Sequence, residues 1–366
     1  MKDPTFLGKL KNAWDLHLKK NPNLILVLCG SVSSWIEKNI LSSTGFVGRI
    51  DLTLTLDELS LEDCTMFWGA QKNHWSAYEK LKVLSVTGGV PRYLEIISPS
   101  LTAEENIKKL CFIKEGFLFN EFDQIFNDLF QKRSKTYKDI LLCLIEQPYA
   151  SLADLFKSLE MKKSGIMSDY LEDLILAGFL KKDYTWLIRN GALSKLSHLR
   201  ISDNYVRFYL KYILPNKNKI ERASFDNRSL TTLPNWDTLM GLQFENLVLQ
   251  NRTLLHKLLH IDPNEIMNDN PYFQKKTTAH KGCQIDYMIQ TRFNVLYICE
   301  IKFSRNPVGT HVIDEVKSKI QSLVLPKHFS YRPILIHVNG VDDEVIASEF
   351  FAEIIDFGSF LKTSIL

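Results

Sequence analysis

Residues 283–302, CQIDYMIQTRFNVLYICEIK, constrain the fold more than any other stretch of the chain. Two runs rich in β-branched and aromatic residues, 283–290 and 295–302, flank a short break at 291–294, which predicts a β-hairpin. Folding the chain back about residue 293 sets Asp286 beside Glu300, to within a residue of register. Side chains alternate along a strand, so Glu300 and Lys302 share a face while Ile301 points the other way. Two carboxylates and an ammonium then meet at the end of an otherwise apolar strand. Hard divalent cations such as Mg²⁺ take oxygen ligands of this kind, and metal-assisted phosphoryl chemistry uses such clusters. An acid and a lysine at this spacing also occur on the solvent face of an edge strand, where the lysine blunts edge pairing. Spacing alone leaves both readings open.

The 366 residues leave room for two or three domains with ample core, and 45% hydrophobic with 24% charged residues is the balance of an ordinary globular protein. A net charge of +3 is too small to argue by itself for nucleic acid or a membrane surface. The aliphatic run at 24–28 is far too short to span a bilayer, and Met1 is followed by Lys2, Asp3 and Pro4 rather than by an apolar leader. Six scattered cysteines without a Cys-x-x-Cys pair read as reduced thiols, which predicts a cytoplasmic protein with no membrane partner.

Residues 6–19 carry Phe6, Leu10, Trp14 and Leu18 at helical spacing. LILVLCGS then reads as a buried strand running into a helix at 32–41, the pattern of an α/β sheet whose strand ends face a ligand crevice. Residues 50–56 alternate as a second strand, and helices are expected around 61–68 and 75–86.

The run LILVLCGSVSSWIEKNILSSTGFVGRIDLTLTLDELSLEDC, residues 24–64, resembles the sensor-1 half of the archaeal-type AAA+/STAND ATPases. So do the helix ending in Trp14-Asp15 and the Gly-Gly-Val-Pro-Arg-Tyr run at 88–93, and the likeness extends over essentially the whole chain. The resemblance implies nucleotide-site remnants: Ser31 near the sensor-1 position, Arg49 acting on phosphate charge, and Gly89 to Pro91 beside the base. The chain contains no Gly-x-x-x-x-Gly-Lys-Ser/Thr, whose amides and lysine cradle phosphates, and no apolar strand ending in paired acids before residue 24. The expectation is therefore a family member without its P-loop half, a truncated reading frame or the partner of a separately encoded P-loop protein, and no ATP turnover by this chain alone. On local grounds a Gly-Gly-Val-Pro run is more often a plain loop and helix start.

Residues 101–130 stay helical, with Thr102 and Glu105 suited to a capping box. Helices at 135–146, 151–159 and 164–177 follow, with Gly178 in a C-cap position. Strands at 179–188 and 197–202 are separated by Asn190-Gly191, which completes a winged-helix pattern. The third helix offers Asp169, Glu172 and Asp173 but no Arg, Asn or Gln for a base edge. Lys162 and Lys163 at its start suit phosphate contact with DNA. Residues 132–200 hold twelve Lys/Arg against eight Asp/Glu, a net of +4, and a protein-binding or spacer role fits as well as DNA binding.

Residues 215–234 read as a linker and 236–260 as one long helix bearing Glu245. The hairpin, a helix at 310–323, a strand at 332–338 and a helical tail follow. This order, with Asp286 and then Glu300-x-Lys302, resembles the core of the PD-(D/E)XK nucleases, although Ile285 stands where that family often has proline. The resemblance implies Asp286, Glu300 and Lys302 as catalytic residues, and Asp286, Glu300 and Glu245 as holders of Mg²⁺. Gln321 would position DNA. His256 and His260, at zinc-like i, i+4 spacing, lack a third ligand and read as surface histidines.

The expectation is thus a multi-domain α/β chain: a truncated AAA+ ATPase region and lid (1–98 and 99–133), a winged helix (134–214), a linker (215–234), and a restriction-endonuclease-like mixed-sheet domain (235–366). The expected activity is Mg²⁺-dependent hydrolysis of DNA phosphodiesters. The alternative is a catalytically inactive DNA- or protein-binding remnant of an ATP-binding regulatory protein.

Overall fold

The computed structural model describes residues 3, 5–30, 36–130, 134–160, 165–225, 229–278 and 280–361. It is a mixed α/β architecture with many helices and two sheets. The chain divides into two compact units, one of Met1–Asp57 with Ser164–Phe179, the other of Glu58–Lys163 with Leu180–Leu366. No helix among the described residues is long and apolar enough to cross a membrane.

In the first unit, helix Phe6–Leu16 forms as its apolar spacing requires. The two strands expected at 24–31 and 50–56 are absent from the described residues, which reach Gly30 in the first of them. Ile25, Val27, Leu52 and Leu54 stand largely exposed instead. The physical reason is that a strand needs neighbours to take its N–H and C=O groups, and among the described residues of this unit none is a strand. Helix Gly165–Leu176 stops where its glycine predicts. Gly178 takes a φ of +80°, and its N–H and that of Phe179 donate to the carbonyls of Ile175 and Leu174.

In the second unit, helix Ala77–Thr87 is buried along nearly its whole length. Helix Ala103–Cys111 carries the expected capping box between Thr102 and Glu105. Helices Phe117–Phe130, Ser134–Glu146 and Leu152–Ser158 lead to a three-stranded antiparallel sheet of order β1-β3-β2. Its strands are β1 (Ala150–Ser151), β2 (Leu180–Trp186) and β3 (Leu193–Ile201). β3 begins at Leu193, earlier than the 197 expected, and its first four residues are exposed or half-buried while most of its second half is buried.

The segment expected as a linker contains a helix, Leu214–Glu221, with a proline in its first turn where no N–H is needed. The helix expected over 236–260 is two, Trp236–Gln250 and Arg252–Leu258. At the break, the Asn251 side chain accepts from the Leu61 N–H and donates to the Leu247 carbonyl.

A five-stranded mixed sheet follows, in simple order β4-β5-β6-β7-β8. It comprises β4 (Ile266–Gln274), β5 (Cys283–Thr291), β6 (Val295–Phe303), β7 (Ser330–Val338) and β8 (Glu353–Asp356). β4, β5 and β6 run antiparallel, whereas β6, β7 and β8 are parallel. Helix His311–Ser322 makes the crossover from β6 to β7, as a parallel connection demands. It presents Val312, Ile313, Val316 and Ile320 to a core shared with Ile285, Met288, Leu296, Ile298 and Leu335. β4 and β8 carry little apolar signal of their own. β4 is polar through its middle and contains Pro271, a residue confined to edge strands and bulges.

Candidate functional site

The hairpin pairs Tyr287 with Cys299 and Gln290 with Leu296, so the register, continued by one step, sets Asp286 opposite Glu300. There the ladder ends. On the other side of β5, Met288 pairs with Asn270 but Ile285 pairs with Tyr272, leaving Asp286 and Tyr287 together opposite Pro271. Two residues against one is a β-bulge, and the proline has no N–H to lose. Asp286 is turned to the end of β6, where its Oδ2 accepts from the Ile301 N–H at 3.0 Å. Tyr287 meets His256 on helix Arg252–Leu258, with 2.7 Å between its hydroxyl and Nε2.

Glu300 and Lys302 continue the face of β6 that carries Leu296 and Ile298, and so look toward helix His311–Ser322. That helix offers Glu315 and Lys319, one turn apart. The result is a ladder of alternating charge. Lys319 Nζ lies 3.1 Å from Asp286 Oδ1 and 2.5 Å from Glu300 Oε2. Lys302 Nζ lies 3.1 Å from Glu300 Oε1 and 2.6 Å from Glu315 Oε2. Asp286 and Glu300 are both buried, while Lys302, Lys319 and Glu315 reach solvent.

Electrostatics follow from that burial. The Glu300 carboxyl is raised above its ordinary range, first by desolvation and then by the charge of Asp286, with Lys319 and Lys302 pulling it back. Burial draws both lysines down, but the carboxylates around them more than offset it, and both are held above the ordinary lysine value. The hydrogen bond from Lys302 holds Glu315 below its usual value.

Glu245 reaches the same place from helix Trp236–Gln250. Its Oε2 accepts from the Tyr149 hydroxyl at 2.6 Å. Desolvation, and then the charge of Asp286, push its carboxyl up to about 7. The helix is fixed by a buried polar network. Arg200 pairs with Asp183 at 2.6 Å and donates to Asn246 Oδ1 at 2.6 Å, and Asn246 donates to the carbonyls of Ile201 and Ser202.

Glu245, Asp286, Glu300, Lys302, Glu315 and Lys319 line an open cleft of about 680 Å³ with Asp314, Ser318 and Ile301, at the carboxyl end of β6. That is where ligands enter parallel α/β sheets. Asp286 Oδ1 and Glu300 Oε2, which share one cation, are the oxygens that could hold a metal. Among the described residues no group of three His, Cys, Asp and Glu side chains is gathered for one.

The other residues singled out by sequence fall elsewhere. Gln321 is exposed on the last turn of helix His311–Ser322 and is not among the residues lining the cleft. Arg49, in the first unit, is taken up by Asp15 at 3.0 and 2.8 Å and by the Gly45 carbonyl. In the second unit, the Gly89 N–H donates to Glu58 Oε2 at 2.7 Å, and a Cβ at Gly89 would stand 2.4 Å from the Leu59 carbonyl oxygen. Pro91 opens the short helix Pro91–Glu95. Ser31, Lys162 and Lys163 lie outside the described residues. His256 is buried against Tyr287 rather than on the surface. Sequence reasoning missed Lys319, Glu315 and Tyr149. The Glu315/Lys319 pair at i, i+4 on the helix after the hairpin was the signal available for two of them.

No family model matches the chain. The uncharacterized protein MJECL04 of Methanocaldococcus jannaschii is 26% identical over 288 residues, which are 78% of this chain and 60% of that protein. The chain therefore spans about 60% of the length of the curated relative it matches. Among solved structures, the crystal structure of protein VC1899 from Vibrio cholerae aligns with 85% of this chain and 60% of its own at 15% identity, with a TM-score of 0.28.

Proposed function

We propose that residues 235–366 form a PD-(D/E)XK-type nuclease-like domain that hydrolyses DNA phosphodiesters with Mg²⁺. The observation that carries this reading is the convergence of Asp286 Oδ1 and Glu300 Oε2 on a single cationic position, beside Lys302, in an open cleft at a strand end. Two carboxylates with water in the remaining positions are a donor set Mg²⁺ accepts. When bound, a divalent cation supplies polarisation of the phosphate and an activated water. Asp286 and Glu300 would hold it. The Ile301 N–H keeps the Asp286 carboxylate in place, and Tyr149 keeps Glu245 at the cleft wall. Lys302 places positive charge where a pentavalent phosphate accumulates negative charge.

The test is nicking of supercoiled plasmid DNA by the purified chain. Cleavage that requires Mg²⁺ and falls to background in Asp286→Asn and Glu300→Gln is expected. Cleavage that survives both substitutions overturns the assignment.

The rest of the reading is a winged helix within residues 134–214, with DNA or a protein as its partner, joined to an AAA+-related segment that turns over no ATP by itself. The absence of a Gly-x-x-x-x-Gly-Lys-Ser/Thr motif supports the last point. So does the engagement of Arg49 by Asp15 and of the Gly89 N–H by a carboxylate. A second reading, a domain that binds DNA or protein without cutting, is favoured by the pairing of both carboxylates with lysines.

A further inference from the structure

We propose that the Lys319 ammonium is a built-in counter-ion occupying the position a divalent cation would take, so that Lys319 and metal exclude one another at Asp286 and Glu300. This rests on the reading of the cleft as a metal site.

Each carboxylate has one oxygen committed elsewhere. Asp286 Oδ2 holds the Ile301 N–H at 3.0 Å, and Glu300 Oε1 holds Lys302 at 3.1 Å. The two remaining oxygens converge, and Lys319 Nζ sits between them at 3.1 and 2.5 Å. A divalent ion bound to those same oxygens at about 2.1 Å would fall well inside ammonium contact distance, and two cations cannot share that space. Lys302 raises no such conflict, because it lies on the far oxygen of Glu300 and is already shared with Glu315.

Lys319 also has somewhere to go. Its side chain is about a quarter exposed on a flexible four-carbon stem, and the cleft wall beside it carries Asp314, Glu315 and Ser318. Glu315 lies one helical turn before it, the spacing at which an acid and a lysine pair along a helix. In the absence of metal the buried carboxylates are thereby neutralised rather than left bare, a condition that would cost stability. Metal binds only against the free energy of breaking the Lys319 bridge.

The test measures Mg²⁺ binding by calorimetry, Mn²⁺ binding by electron paramagnetic resonance, and thermal melting with and without Mg²⁺. Lys319→Gln is expected to bind either ion about tenfold more tightly than the wild type. Without metal it should melt lower than the wild type and recover more on adding Mg²⁺. Lys319→Arg keeps the charge and should stay within about threefold of wild-type affinity. Lys319→Met, with a similar stem and no charge, repeats the measurement if the Gln variant does not fold. Equal or weaker binding by the neutral variants overturns the exclusion while leaving the metal site standing. No binding by folded wild type and folded variants alike overturns both.

Discussion

The Asp286 carboxylate accepts a hydrogen bond from the backbone N–H of Ile301, 3.0 Å away, just beyond the last paired residues of β5 and β6. A side chain replaces the ladder there, so Asp286 holds the hairpin end as well as facing the cleft. Asp286→Ala leaves a buried N–H without its acceptor and takes from Lys319 one of its two carboxylate partners, Glu300 remaining, and should cost about 1–3 kcal/mol. Asp286→Asn keeps an acceptor for Ile301 and should cost less. Urea denaturation of the two variants checks the order. Equal losses would mean that the Ile301 bond contributes nothing.

Trp186 Nε1 donates to Gln290 Oε1 at 2.5 Å, and Gln290 Nε2 donates to the Ile188 carbonyl at 2.9 Å. One amide thus joins the end of β2 and the residues after it to the large sheet. Gln290→Leu strands a buried indole N–H and a buried carbonyl, with an expected loss of about 1–3 kcal/mol. Gln290→Glu retains an acceptor for Trp186 but loses the donor to Ile188. Trp fluorescence during chemical unfolding gives both values.

Asp183 and Arg200 form an ion pair that is almost fully buried. Removing one partner leaves an uncompensated charge, so Arg200→Met should destabilise by about 3–5 kcal/mol. Replacing both residues with apolar ones should recover much of that loss. A double-mutant cycle measures the difference, and an additive double mutant would contradict the pairing.

Glu245 has its carboxyl raised to about 7 by desolvation and by Asp286. Its protonated form is favoured by the fold, so the stability it contributes is complete below its unfolded value near 4.5. That contribution is lost as pH rises through about 7. Glu245→Gln should flatten the fall in melting temperature across this window. An unchanged slope would place the titration elsewhere.

The hairpin was legible because strand period and turn chemistry are local, and its expected register agrees with the Tyr287–Cys299 pairing. The Thr102/Glu105 capping box and the Gly178 stop were legible for the same reason. β4 was not, because Pro271 and its polar neighbours suit a bulged strand but announce nothing by themselves. The apolar runs at 24–28 and 50–56 show the reverse case. β propensity was present without strands to pair with among the described residues.

The sequence by itself determined that Asp286, Glu300 and Lys302 would meet at one strand end, because alternation and a four-residue break leave the hairpin little choice. Only the tertiary structure decided which cation lies between the two carboxylates. Lys319 is 19 residues from Glu300 and 33 from Asp286 in sequence, and Tyr149 is 96 from Glu245. Their meeting depends on how helix His311–Ser322 and helix Trp236–Gln250 pack on the sheet. That packing is set by burial summed over the core, which no local window contains.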